Sequence, residues 1–116
     1  MSDVKITVGG GMEEEAGRGF VDAWHRAERG EVFRERRLAF ESWDALTRVL
    51  TNKRMDLLRY VRHHEVKSVR ALAKALGRDY SNVHADVQAL MAAGLLDSGD
   101  GALRADYDAI ETKIAI

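Results

Sequence analysis

A chain of 116 residues, 46% hydrophobic and 32% charged, has room for one folded domain with an appendage, and its composition favours a buried core over disorder. The absence of cysteine excludes disulfides, thiolate zinc sites and cysteine nucleophiles and fits a reducing cytoplasm; no apolar run approaches the roughly 18 to 20 residues of a membrane span, so no membrane partner is expected. The net charge of -1 hides an uneven distribution, because residues 51 to 96 carry eight cations against four acids and the segment after residue 96 carries two against five. A basic middle is what phosphate binding requires, since each neutralised phosphate releases condensed counterions.

The opening MSDVKITVGGG lacks a basic start followed by an apolar core, so export is not expected. Lys5 to Val8 alternates as a strand, with Val4, Ile6 and Val8 on one face, and Gly9, Gly10 and Gly11 break it. The triplet lacks the spacing and the lysine of a phosphate loop and reads as a strand-to-helix joint. From Met12 to Glu28 the apolar residues Ala16, Phe20, Val21, Trp24 and Ala27 recur at helical spacing, Glu13 to Glu15 suit the first turn, and Gly30 is placed to stop the helix. Phe20 and Trp24, one turn apart, suit a core or a dimer or partner interface. Arg37 to Glu41 reads as a second strand. Residues 1–41 thus form a strand-helix-strand extension for dimerisation or partner contact, ahead of a second domain over 42–116.

In that domain Ser42 can cap a helix carrying Trp43, Leu46, Val49 and Leu50, and Thr51 can cap another whose buried stripe is Met55, Leu58 and Val61, with Tyr60 alongside. The second helix ends near His63. Adjacent histidines at a helix end point about 100° apart, and His25 and His84 lie far from His63 and His64 in sequence, so no metal is expected. Ser68 can cap Val69 to Leu76, with Val69, Leu72, Ala73 and Leu76 inward, and Gly77 follows where a left-handed stop is needed. Asp79 can cap a further helix with Val83, Val87, Leu90 and Met91 inward. On the other side lie Tyr80, Ser81, Asn82, His84, Ala85 and Gln88.

Two amphipathic helices joined by a Gly-containing turn make a helix-turn-helix, in which the second helix enters the major groove. Asn82 and Gln88 can each offer adenine a donor and an acceptor, Ser81 and His84 can bond base edges, and Ala85 can meet a thymine methyl, with Tyr80 on the same face. Arg54, Lys67, Ser68, Arg70, Lys74, Arg78 and Arg104 are the candidate phosphate contacts. The turn around Gly99, Asp100 and Gly101 suits a hairpin between Leu96 and Leu103, but Asp97 and Asp100 there do not suit a phosphate backbone. Ile110, Thr112, Ile114 and Ile116 then alternate as a terminal strand that needs a sheet to bury it, in the hairpin, the N-terminal strands or a partner subunit.

NVHADVQALMAAGLL, ending in Leu-x-x-x-Gly-Leu, resembles the recognition helix and exit of winged helix-turn-helix regulators of the MarR and ArsR type. With SVRALAKAL, Gly77 and RDYSNVHADV in order behind TNKRMDLLRYV, residues 42 to 104 are similar to small prokaryotic regulators of this kind, some of which are antitoxin-like partners of a toxin. The resemblance implies a winged-helix fold, DNA binding and a homodimer. The expected fold is therefore mainly α with small β, a winged helix-turn-helix with an N-terminal strand-helix-strand extension.

The expected function is a sequence-specific regulator of transcription, a repressor that acts as a dimer, with double-stranded DNA as partner. Ile114 and Ile116 join Phe20 and Trp24 as candidate interface residues. A different class of function is an antitoxin-like module that grips a toxin through its N-terminal extension. No triad or carboxylate pair stands at catalytic spacing, so neither an enzyme nor a cofactor is expected. With no Arg or Lys between Asp79 and Gly94, the reading helix must depend on its neighbours and on a second copy for affinity.

Overall fold

The computed structural model describes residues 2–9 and 34–116. In chain order the described elements are β1 (Ser2–Val8), β2 (Arg34–Phe40), α1 (Trp43–Val49), α2 (Asn52–His63), α3 (Val69–Leu76), α4 (Tyr80–Ala92), β3 (Asp97–Gly99), β4 (Ala102–Arg104) and β5 (Ala109–Ile114). The chain divides into two compact units, Met1–Leu46 with Tyr107–Ile116, and Thr47–Asp106. The expected helix from Met12 to Glu28, with its stop at Gly30, lies outside the described residues.

The first unit is built on a three-stranded sheet in the order β2-β1-β5, with both pairings parallel. Parallel neighbours need long crossovers, and here the two ends of the chain supply adjacent strands. Val4, Ile6 and Val8 are fully buried on one face of the central strand, at 0 to 1% exposure. On the other face Lys5 Nζ lies 2.8 Å from Glu111 Oε2 of β5 and 3.7 Å from Glu35 Oε1 of β2. Its hydrogen bond to Glu111 raises the Lys5 ammonium above its ordinary value. One strand face is thus apolar and the other ionic. Of the apolar residues expected on one side of α1, Trp43 is 55% exposed, while Leu46 is buried.

This sheet corrects the expected fold class. Helix accounts for about 44% and strand for about 29% of the described residues, a mixed α/β fold rather than a mainly α fold with small β. The terminal strand completes the sheet of the two N-terminal strands. The error has a physical origin. Alternation identifies a strand locally but says nothing about a pairing partner about a hundred residues away.

In the second unit each helix begins at a side-chain cap foreseen from the sequence: Thr51 accepts from the Arg54 N–H, Ser68 from Ala71 and Asp79 from Asn82. The Ser42 hydroxyl does the same for Ala45 at the start of α1. Gly77 leaves α3 at φ 64°, with its N–H on the Lys74 carbonyl and the Arg78 N–H on that of Ala73. Gly94 repeats this pattern after α4, with Gly94 N–H on Met91 and Leu95 N–H on Leu90. Both are Schellman exits, which satisfy carbonyls and turn the chain sharply. The core comprises Leu57, Leu58 and Val61 of α2, Leu72 and Ala73 of α3, Val83, Val87 and Leu90 of α4, and Leu95, Leu96 and Leu103 after them. β3 and β4 form an antiparallel hairpin whose two loop residues, Asp100 and Gly101, both have positive φ, the signature of a type I′ turn. The Leu103 N–H donates to the Val66 carbonyl at 2.8 Å, which ties the hairpin to the segment ahead of α3.

Candidate nucleic-acid interface

The sequence of α4 separates its two sides cleanly. Val83, Val87 and Leu90 are buried at spacings of four and three, while Tyr80, Ser81, Asn82, His84, Ala85 and Gln88 are all exposed. The Asp79 carboxylate, which accepts from the Asn82 N–H at 3.3 Å, caps the helix end nearest these residues. The six residues predicted to read bases therefore form one accessible face over the first three turns of α4. They present amide, hydroxyl and imidazole groups beside the small Ala85 side chain.

Asp86 is the acid that would repel a phosphate backbone from this helix if it were exposed. It lies three residues after Val83, at the border of the buried stripe, and its side chain is only 14% exposed. Arg54 Nε of α2 donates to Asp86 Oδ1 at 3.0 Å, and Arg78 Nη2 from the turn lies 2.7 Å from Oδ2. Arg54 also donates through Nη1 to the Arg48 and Val49 carbonyls at 3.0 and 3.1 Å. Burial pushes the Asp86 carboxyl up, but the hydrogen bonds and charges of Arg78 and Arg54 outweigh it and hold the group below its ordinary value. Arg54 and Arg78, both foreseen as phosphate contacts, thus fix α4 against α2 and the turn, and the acid's charge is answered within the fold.

This clamp was missed in the sequence, although a signal for it existed. Asp86 falls at the edge of the stripe of Val83, Val87 and Leu90 on the helical wheel, and an acid beside a buried stripe needs a cation close by. Which cations would arrive is not visible, because Arg54 is thirty-two residues away.

The remaining expected phosphate ligands are placed differently. Lys67, Arg70 and Lys74 are exposed around α3, and Ser68 caps that helix with its hydroxyl. The Arg70 guanidinium stands 4.8 Å from the centre of the Tyr80 ring, and Tyr80 in turn meets His84 at 5.8 Å between ring centres. A cation of α3 and two aromatic rings of α4 make a continuous exposed column, a cation–π contact that orients Arg70 beside the exposed face of α4. Arg104, on the returning strand of the hairpin, is 3.7 Å from Asp100 of the turn. Ile114 is 45% exposed and Ile116 fully so; Phe20 and Trp24 lie outside the described residues.

His63 and His64 do not converge on a centre. The His64 ring stacks on Tyr60 at 4.0 Å, and its Nδ1 lies 3.0 Å from the Tyr60 carbonyl oxygen. Among the described residues, no group of three or more His, Asp or Glu side chains could hold a metal ion, and no helix is long and apolar enough to cross a membrane.

The sequence model of the HVO_A0114 family matches residues 49–112. The chain belongs to the HVO_A0114 family. The HVO_A0114 match takes in α2, α3, α4 and the hairpin, so the exposed face of α4 and the Arg54–Asp86–Arg78 clamp both lie within it. No curated protein and no solved structure matches the chain.

Proposed function

We propose that this protein is a sequence-specific, double-stranded DNA-binding regulator of transcription, a cytoplasmic repressor that acts as a dimer and lays α4 in the major groove. The observation that carries the reading is the exposed face of α4. Its first three turns present only groups that can bond or pack against base edges, while its acid is held at the border of the core by two arginines. The resemblance of residues 42 to 104 to MarR and ArsR regulators supports the same reading.

In this account Asn82 and Gln88 each bond an adenine edge through one donor and one acceptor, Ser81 and His84 bond neighbouring edges, and Ala85 packs on a thymine methyl. Lys67, Arg70 and Lys74 bind phosphates and set the register, with Ser68 at the start of α3 and Arg104 from the hairpin as further contacts. Tyr80 steadies Arg70 through its ring face. Arg54 and Arg78 act through position: they hold the helix that reads.

The test measures binding to a duplex recovered from a random pool, by fluorescence anisotropy over a salt series. Asn82→Ala and Gln88→Ala should each lose about 1 to 3 kcal/mol of discrimination at one base pair. Lys74→Ala should weaken binding to all sequences alike and reduce the salt slope by about 1. A chain that binds no duplex at low ionic strength contradicts the proposal.

A further inference from the structure

The sheet of the first unit ends in an edge that matches itself. β5 pairs with β1 on one side, and no described strand lies on its other side. The Ala115 N–H donates to the Val8 carbonyl at 2.9 Å, so the backbone groups of Ala115 face β1. In an extended strand successive residues turn their N–H and C=O groups to opposite sides, which aims those of Ile110, Thr112 and Ile114 away from β1.

The side chains along this edge read Ala109, Ile110, Glu111, Thr112, Lys113, Ile114, Ala115. About Thr112 the order is self-complementary: alanine answers alanine, isoleucine answers isoleucine, and glutamate answers lysine. We propose that β5 pairs antiparallel with β5 of a second copy, in the register that sets Thr112 opposite Thr112, and so joins two three-stranded sheets into one continuous sheet.

Backbone and side chains select the same register. The outward groups of Thr112 meet those of its twin, and those of Ile110 meet those of Ile114, as the hydrogen-bonded pairs of an antiparallel ladder. Glu111 then falls opposite Lys113 twice, in the closer, non-hydrogen-bonded positions where side chains interact most. These two residues share the face of Lys5, whose ammonium already touches Glu111, and a carboxylate accepts several donors. Ile110 and Ile114 extend the face on which Val4 and Val8, their register partners on β1, are buried. At the sheet edge Ile114 is 45% exposed, apolar area that a second copy would cover. A slip of two residues either way sets Glu111 against Glu111 or Lys113 against Lys113. Charges on an edge strand discourage indiscriminate pairing, and this arrangement of them admits one partner in one register. The result is a two-fold, isologous contact.

The inference deepens the proposed function by naming where its dimer forms, and the experiment separates the two. The full-length protein should sediment as a dimer. Lys113→Glu, which turns both attractive pairs repulsive, should weaken the dimer about tenfold or more. Thr112→Pro should abolish it, because the proline removes an outward N–H and costs the β1 ladder nothing; circular dichroism should show both variants folded. Glu111→Lys and Lys113→Glu, each impaired alone, should form a heterodimer when mixed, because only that mixture restores both pairs. A monomeric wild type, a dimer that survives both Lys113→Glu and Thr112→Pro, or folded single variants that fail to combine would overturn the interface. Loss of duplex binding with the dimer intact would count against the reading of α4 alone.

Discussion

Replacing Asp86 by asparagine tests whether the clamp holds the candidate reading helix. The change keeps the shape of the side chain and removes the charge that answers Arg54 and Arg78. With side chains 14, 18 and 19% exposed, the three groups lie between a solvated ion pair and a buried one. Exposed pairs contribute about 0 to 1 kcal/mol, and breaking a buried one costs about 3 to 5. Arg54 retains its bonds to the Arg48 and Val49 carbonyls, which lessens the loss, whereas Arg78 Nη1 is buried without a hydrogen-bond partner, which increases it. The expected destabilisation is about 2 kcal/mol at pH 7, or roughly 8 °C in melting temperature for a domain of this size. Because the folded-state carboxyl is held below its ordinary value, its contribution is full above the unfolded aspartate range, near about pH 4, and is lost as pH falls through the lowered value. Urea titrations followed by far-ultraviolet circular dichroism should therefore show a gap between wild type and Asp86→Asn that is wide at pH 7 and narrows in acid. A gap under about 0.5 kcal/mol at pH 7, or one that acid leaves unchanged, would refute the reasoning.

Two further substitutions test how α3 and its exit into α4 are shaped. Gly77→Ala should cost about 1 kcal/mol by thermal melting, because a Cβ there meets open space but must accept φ 64°. Ser68→Ala should also cost about 1 kcal/mol through loss of the bond to the Ala71 N–H, and Ser68→Asp should recover most of it.

The parts of this protein that were legible in its sequence are those fixed within a few residues. Ser42, Thr51, Ser68 and Asp79 cap helices because a side-chain oxygen reaches an N–H three residues ahead, and Gly77 turns left-handed because only that step closes its Schellman bonds. The stripe of Val83, Val87 and Leu90 is likewise set by helical periodicity. Properties that depend on distant partners were not legible. The alternation of Ile110 to Ile116 announced a strand but left open the hairpin, the N-terminal strands and a partner as its neighbour, and β1 proved to be the one. The basic residues of the middle segment looked alike in a charge count, yet Arg54 and Arg78 are committed to Asp86 while Lys67 and Lys74 are exposed. Composition counts charges, and only packing decides which of them remain available to a ligand.

Selection of bound sequences from random duplexes by the full-length protein tests the central claim most directly, because it reads binding, base preference and symmetry together. The account predicts recovery of a defined motif in two inverted half-sites, with adenines or their complements at the positions met by Asn82 and Gln88. Recovery of unenriched sequence, or of no duplex at all, would contradict it.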